Sequence, residues 1–153
     1  MKQASIRVHV LAPELLRDAV TRLVASATVA VVAETAAHDV VLVVAGSDWP
    51  RRLARFRERH GKSSQPMLLL AQPGDLHLEQ VSASGFRVLL GWDDRDCLEL
   101  ALQAAASGNT FCSVSLLTPP VPPGRESPAF DVRARLGQLS QHFALCCDWC
   151  CAG

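Results

Sequence analysis

Short apolar runs alternate along the first two thirds of the chain with segments in which apolar residues recur every three or four positions. Ile6 to Leu11 is rich in β-branched residues and nearly alternating, which predicts a strand. Pro13 suits the first turn of a helix. After it, Leu15, Leu16, Ala19, Val20, Leu23 and Val24 form one stripe, with Glu14, Arg17, Asp18 and Arg22 off it. Thr28 to Ala33 reads as a second strand and Val40 to Val44 as a third. The third is apolar without alternation, as expected of a central parallel strand covered on both faces. Asp48 suits the N-cap of a helix that opens at Trp49-Pro50, turns Leu53 and Phe56 inward and stops at Gly61. Met67 to Ala71 is a fourth strand, Asp75 opens a short helix ending at Gly85, and Phe86 to Leu90 is a fifth strand. Asp94 is placed to cap a helix with the stripe Cys97, Leu98, Ala101, Leu102 and Ala105, ended by Gly108.

The order β-α-β-β-α-β-α-β-α predicts an α/β fold, a doubly wound five-stranded parallel sheet. One interval is too short. Only seven residues separate Val32 from Val40, whereas a parallel crossover usually takes a dozen or more. The second helix is therefore expected to be missing or vestigial, with an extended segment crossing one edge of the sheet. Antiparallel pairing of the two strands is the competing expectation. Beyond residue 117 the pattern changes. Pro119, Pro120, Pro122, Pro123 and Pro128 mark 118–129 as an extended, semi-rigid linker. Over 130–153, Val132, Leu136, Leu139, Phe143, Cys146 and Cys150 recur at heptad-like spacing, which predicts an amphipathic helix with a dimer seam.

Fifteen Lys and Arg balance fifteen Asp and Glu, which argues against a nucleic-acid binder that works by bulk electrostatics. A hydrophobic content of 49% argues for a packed core rather than disorder. No apolar run is long enough to span a membrane, and the N-terminus lacks a signal-peptide pattern. A cytoplasmic location is the expectation. Four of the six cysteines, Cys146, Cys147, Cys150 and Cys151, crowd the last eight residues. A cytosolic chain of this size needs no disulfide framework.

Four local matches carry a resemblance: Ile6-Arg7-Val8 opening the first strand, Asp39-Val40-Val41-Leu42 opening the third, Ser84 to Leu90 around the fifth, and Ala104 to Thr110 closing the last helix. With the strand-helix order, they make residues 5 to 117 resemble a response-regulator receiver domain. More narrowly, they are similar to the atypical receivers attached to LuxR-type helix-turn-helix regulators. The resemblance implies phosphoryl transfer to an aspartate, with magnesium held by that aspartate and an acidic pair. It further implies a hydroxyl residue and a lysine that bind the phosphoryl oxygens. The acidic pair would follow the first strand, where Ala12 and Pro13 stand. The acceptor would end the third strand, at Val44, the hydroxyl the fourth, at Ala71, and the lysine the fifth, at Gly91. Every part is replaced by an apolar residue or glycine. The expectation is a degenerate receiver over 1–117, without metal, cofactor or nucleophile. Asp48, a conceivable displaced acceptor, reads better as a helix cap.

Ligands of doubly wound sheets bind at the carboxyl edge of the strands. Trp49 and Trp92 each follow a strand end, so with Ala12, Pro13, Val44, Ala71 and Gly91 they outline an apolar depression that a small ligand could enter. Trp packed as a lid is the favoured alternative. Arg51, Arg52, Arg55, Arg57, Arg59, His60 and Lys62 form a basic run with Glu58 as its only acid. The neutral chain and the lack of interleaved aromatics turn that run away from DNA. A solvated face, or an edge that meets an acidic partner or anionic ligand, fits better. His142, Cys146 and Cys150, with the C-x-x-C of Cys147 to Cys150, all fall on the one helix expected there, an awkward arrangement for a tetrahedral metal site within one chain. Lone His9 and Cys112 read as structural. The functional expectation is a phosphorylation-independent regulatory module of transcription-regulator lineage. It would act as a homodimer, with a partner receiver or regulator protein, or through a small ligand. No DNA-binding half is discernible. A stand-alone sensing or interaction domain is the alternative, and an enzyme is the least favoured class.

Overall fold

The computed structural model describes residues 5–61 and 65–117, for Leu78 the backbone alone. The proline linker at 118–129, the helix expected over 130–153 with its seam, and the cysteine-rich end lie outside the described residues. Strands β1 (Ile6–Leu11), β2 (Val29–Val31), β3 (Val40–Val44), β4 (Met67–Ala71), β5 (Val88–Gly91) and β6 (Phe111–Cys112) form one sheet in the order β2-β1-β3-β4-β5-β6. Every pairing is parallel. Five strands correspond to those read from the sequence. The sixth is an addition, a two-residue edge strand whose ladder with β5 joins Val88 to Phe111 and Leu89 to Cys112.

The helices are α1 (Glu14–Val24), α2 (Trp49–His60), α3 (Leu78–Ala83), α4 (Leu98–Ala106) and α5 (Val114–Leu117). Alternation along each strand divides the core into two layers. Val8, Val10, Val40, Leu42, Val44, Leu68, Leu70, Val88 and Leu90 pack with Val20 and Val24 of α1 and with Leu98, Ala101, Leu102 and Ala105 of α4. The opposite face carries α2, whose Trp49, Leu53 and Phe56 are buried. With both faces covered, β3 is buried along its whole length, which is why its sequence shows no alternation.

The register explains how the chain dispenses with a second helix. Val31, the last residue of β2, and Val40, the first of β3, are both level with Val8 of β1. The connection does not travel back along the sheet. It steps sideways past β1, about two interstrand spacings of roughly 4.8 Å each, within reach of eight residues. Asp39 anchors its far end: its carboxylate accepts from the Arg7 backbone N–H at 2.9 Å and pairs with the Arg7 guanidinium at 2.7 Å. The antiparallel alternative does not occur, because β2 and β3 flank β1 on opposite sides.

Several local expectations are corrected. Only Val20 and Val24 of the α1 stripe are buried, while Leu15 is 96% exposed and Leu16 and Leu23 are exposed as well. Asp75 lies in a 3-10 turn, Pro73–Asp75, and His77 precedes α3. Phe86 is buried but comes before β5 begins. Trp92–Cys97 is a 3-10 segment that delays α4 to Leu98 and leaves Cys97 exposed. Gly61, Gly85 and Gly108 each have φ 75° and end the helices they follow.

Candidate functional site

The carboxyl edge of the sheet brings together Ala12 and Pro13 after β1, Val44 at the end of β3, Ala71 at the end of β4 and Gly91 at the end of β5. Ala12, Val44 and Ala71 are buried, at 2%, 0% and 0% exposure. This is not an empty depression. Arg52, one turn into α2, folds back over β3: its Nη2 donates to the Val44 carbonyl oxygen at 2.7 Å, and its Nη1 pairs with the Asp48 carboxylate. Asp48 occupies the N-cap position but makes no side-chain cap bond. Its carboxylate serves the i,i+4 ion pair instead.

The end of β5 is filled from the other side. Gly91 N–H donates to Ser113 Oγ at 2.7 Å, and Ser113 is itself buried. A Cβ built on Gly91 would collide with Ser115 Oγ and lie 3.2 Å from Ser113 Oγ. No side chain larger than hydrogen fits there without movement. Ser115 N–H in turn donates to the Asp94 carboxylate at 3.1 Å. That hydrogen bonding holds Asp94 below the usual carboxylate range. The sequence reading missed this serine plug, because Phe111-Cys112 is too short a run to signal a strand. The turn residues Gly108-Asn109 before it were the available hint.

The two tryptophans separate. Trp49 is 2% exposed and meets Phe86 edge-on, with ring centroids 5.5 Å apart. Trp92 is partly buried against the opposite core layer, beside α4. Magnesium needs oxygen ligands, usually carboxylates. The residues that end β1, β3, β4 and β5 are Leu11, Val44, Ala71 and Gly91, and the Asp94 carboxylate beyond β5 accepts from Ser115 N–H. Asp48 is engaged by Arg52, and Glu14 is exposed in the first turn of α1. Among the described residues, no three His, Cys, Asp or Glu side chains converge as a metal site.

A second concavity lies one strand to the side. Because β2 stops level with Val8, β1 runs on through His9, Val10 and Leu11 with no partner strand on that flank among the described residues. No helix lies between β2 and β3 in the chain to cover the gap. The result is a half-open cavity of about 710 Å³ walled by β1, by the end of β2 and its following turn, and by α1 and α2. Arg17 of α1 and Arg52, Arg55 and Arg59 of α2 line it, against one carboxylate, Glu34. Of the seven residues proposed from the sequence to outline a ligand depression, only Ala12 reaches this cavity.

Histidine fills the inner wall. His9 is 7% exposed, stacked on Phe56 at 5.5 Å, with Nδ1 3.4 Å from the Val32 carbonyl oxygen. Desolvation lowers its pKa below the usual imidazole value, so the ring is held neutral. A carbonyl only accepts, so Nδ1 carries the proton and Nε2 is left as an acceptor. His38 and His60 stand around the same Phe56. Glu34 Oε1 accepts from Arg59 Nε at 3.0 Å and from His60 Nε2 at 2.9 Å. The bond to His60 first, and the charge of Arg59, hold Glu34 below its usual value. This ties the β2–β3 connection to the end of α2.

Comparison with solved structures agrees with this architecture. The chain is similar to the response regulator ChrA of a heme-sensing two-component system, at TM-score 0.57 and 19% identity, covering 90% of this chain and 76% of that one. It is similar also to a LuxR-family DNA-binding response regulator from Silicibacter pomeroyi, at TM-score 0.53 and 18% identity over 72% of this chain and 98% of that one. A signal receiver domain of an HD domain-containing protein from Pseudomonas fluorescens Pf-5 matches at TM-score 0.50 and 19% identity, covering 69% and 96%. No protein-family model matches the sequence, and no curated protein does. At these identities the likeness shows the fold, which is receiver-like.

Proposed function

We propose that this chain is a receiver-like regulatory module that does not take up a phosphoryl group and acts by association. The partner is a second copy of the chain, or another receiver or regulator protein, in the cytoplasm and within a transcription-regulator lineage. One observation carries the reading: the strand end where an acceptor aspartate would stand is Val44, and its carbonyl is capped by Arg52. A guanidinium at that point satisfies the backbone and Asp48 together, so the carboxylate nearest that strand end is committed to an ion pair. Gly91 under Ser113 and Ser115 supports the same reading at the position of the phosphoryl-binding lysine.

The chemistry of the described residues supports a binding role over an enzymatic one. Burial pushes the Cys112 thiol up to about 11, so it is a poor nucleophile at neutral pH. Among the described residues, no hydroxyl, thiol or carboxylate is hydrogen-bonded to the His9 ring, so it has no nucleophile in place to activate. DNA binding is not assigned to these residues.

Incubation of the full chain with acetyl phosphate and magnesium tests the proposal by mass spectrometry. No phosphoryl adduct is expected. A stable adduct on Asp48 or any other carboxylate would restore the orthodox switch. Size-exclusion chromatography of the full chain, beside a chain lacking residues 130–153, tests association. A dimer that becomes a monomer on truncation is expected, and a full chain that runs as a monomer contradicts the role given to Val132, Leu136, Leu139, Phe143, Cys146 and Cys150. A second reading, a ligand-sensing domain, is favoured specifically by the arginine-lined cavity beside β1.

A further inference from the structure

The short β2 and the absent helix leave more than a gap. They leave a concavity with an unbalanced charge and with polar atoms that lack partners. Of its four lining arginines, Arg59 is paired with Glu34 and Arg52 with Asp48, while Arg17 and Arg55 have no carboxylate partner among the described residues. Two buried side-chain atoms of cavity-lining residues make no hydrogen bond: His9 Nε2, an acceptor, and Arg52 Nε, a donor. Buried polar atoms are nearly always satisfied, and leaving one unsatisfied is expensive. One atom asks for an oxygen and the other for an N–H or O–H. The floor between them is apolar, from Val10, Leu11, Ala12 and Val31. At about 710 Å³ the cavity falls within the size range of small-molecule sites.

We propose that this cavity binds a small organic anion, with its oxyanion held by Arg17, Arg52 and Arg55 and a hydroxyl or amine of the same molecule donating to His9 Nε2. The planar guanidinium fork suits carboxylate and phosphate oxygens alike, and the two helices present their arginines from opposite walls. Such a molecule takes the volume that a second crossover helix would fill. Its binding would brace α1 against α2 and fix the β2–β3 connection, which Glu34 already ties to Arg59 and His60. The site shares Arg52 with the end of β3 and takes its other residues from β1, β2 and its following turn, α1 and α2. The phosphodonor experiment reads a covalent adduct on a carboxylate and the ligand experiment reads Arg17, Arg55 and His9, so the two fail independently.

The test is titration of the isotope-labelled full chain, followed by backbone amide and histidine ring nitrogen signals. The probes are malate, ribose 5-phosphate, free ribose and sulfate at constant ionic strength. Malate or ribose 5-phosphate is expected to bind saturably, more tightly than sulfate, with movement of the His9 Nε2 signal; free ribose is expected not to bind. The first two probes distinguish a carboxylate from a phosphate ester. Arg55→Ala and Arg17→Ala, both at exposed positions, are expected to weaken binding about tenfold each, equivalent to about 1.4 kcal/mol. Arg95→Ala, which lies away from the cavity, is expected to leave it unchanged. Failure of both organic anions to bind, affinity no better than sulfate, or indifference to Arg17→Ala and Arg55→Ala overturns the proposal.

Discussion

Two neighbouring regions of the sheet differ in how their space is filled. At the ends of β3 and β5 the space has been taken up from within. Arg52 lies on the Val44 carbonyl, Trp49 is buried against Phe86, and the serine pair after β6 sits on Gly91. On the flank of β1 the space has stayed open, because β2 ends level with Val8 and no helix returns across it. The filled region is apolar or internally paired. The open region keeps two guanidinium side chains without a carboxylate partner among the described residues, and a buried imidazole acceptor. A site that is closed by packing contributes to stability, whereas a site left with unsatisfied polar atoms draws on it, and the two should respond to mutation accordingly.

The largest effect is expected at Trp49. Trp49→Ala should lower unfolding free energy by about 3–5 kcal/mol in a urea titration, as for other large-to-small changes in a core. Trp92→Ala, at a partly exposed position, should do less. Equal losses would mean that the β3 end is no better packed than its surroundings. Gly91→Ala comes next, at about 1–3 kcal/mol, because the new methyl group meets Ser115. Adding Ser115→Gly should return at least half of that loss, and a neutral Gly91→Ala would show that the plug is not closed.

The open flank should reveal itself in acid. Desolvation lowers the His9 pKa from 6.5 in the unfolded chain. Between that value and its folded value, the unfolded state binds the proton and the folded state does not, so stability falls as pH drops below about 6.5. His38 and His60 face His9, and Glu34 also lies near it. Glu34 adds its own loss only at lower pH, since its pKa is depressed from 4.5 and its contribution disappears as pH falls through the folded value. Melting curves from about pH 7 to about pH 5 should show a slope that His9→Gln removes. A flat profile in this window would contradict the buried neutral imidazole. The smallest effect is expected at Arg17, an exposed residue with no carboxylate partner among those described. Arg17→Ala should change stability by less than about 0.5 kcal/mol, and a larger loss would mean that Arg17 is spoken for within the fold.

Much of the architecture could be read from the sequence, and the unreadable parts share a cause. The apolar runs at Val40 to Val44 and Met67 to Ala71 announce buried strands, and the seven residues between Val32 and Val40 announce an absent helix. Both signals are local. The β2–β1–β3 register, which creates the cavity, is a long-range property of which residues meet Val8. The Arg52 clamp was half visible as an Asp48–Arg52 spacing of four, but spacing does not say that the guanidinium also reaches the Val44 carbonyl. The basic run was legible as charge, while its meeting with Arg17 and His9 depends on two other elements. Ser113 and Ser115 gave no signal, since a two-residue strand has no periodicity to read. The α1 stripe misled in the other direction: Leu15 fits the helical period and yet faces solvent.

The central claim is that the strand ends of β3, β4 and β5 no longer form a phosphoryl and metal pocket. Titration of labelled full chain with magnesium and beryllofluoride, a mimic of a bound phosphoryl group, tests this most directly. The amide signals of Ala45, Ala71 and Gly91 should stay unmoved through the titration. Saturable, magnesium-dependent shifts at those three amides would contradict it.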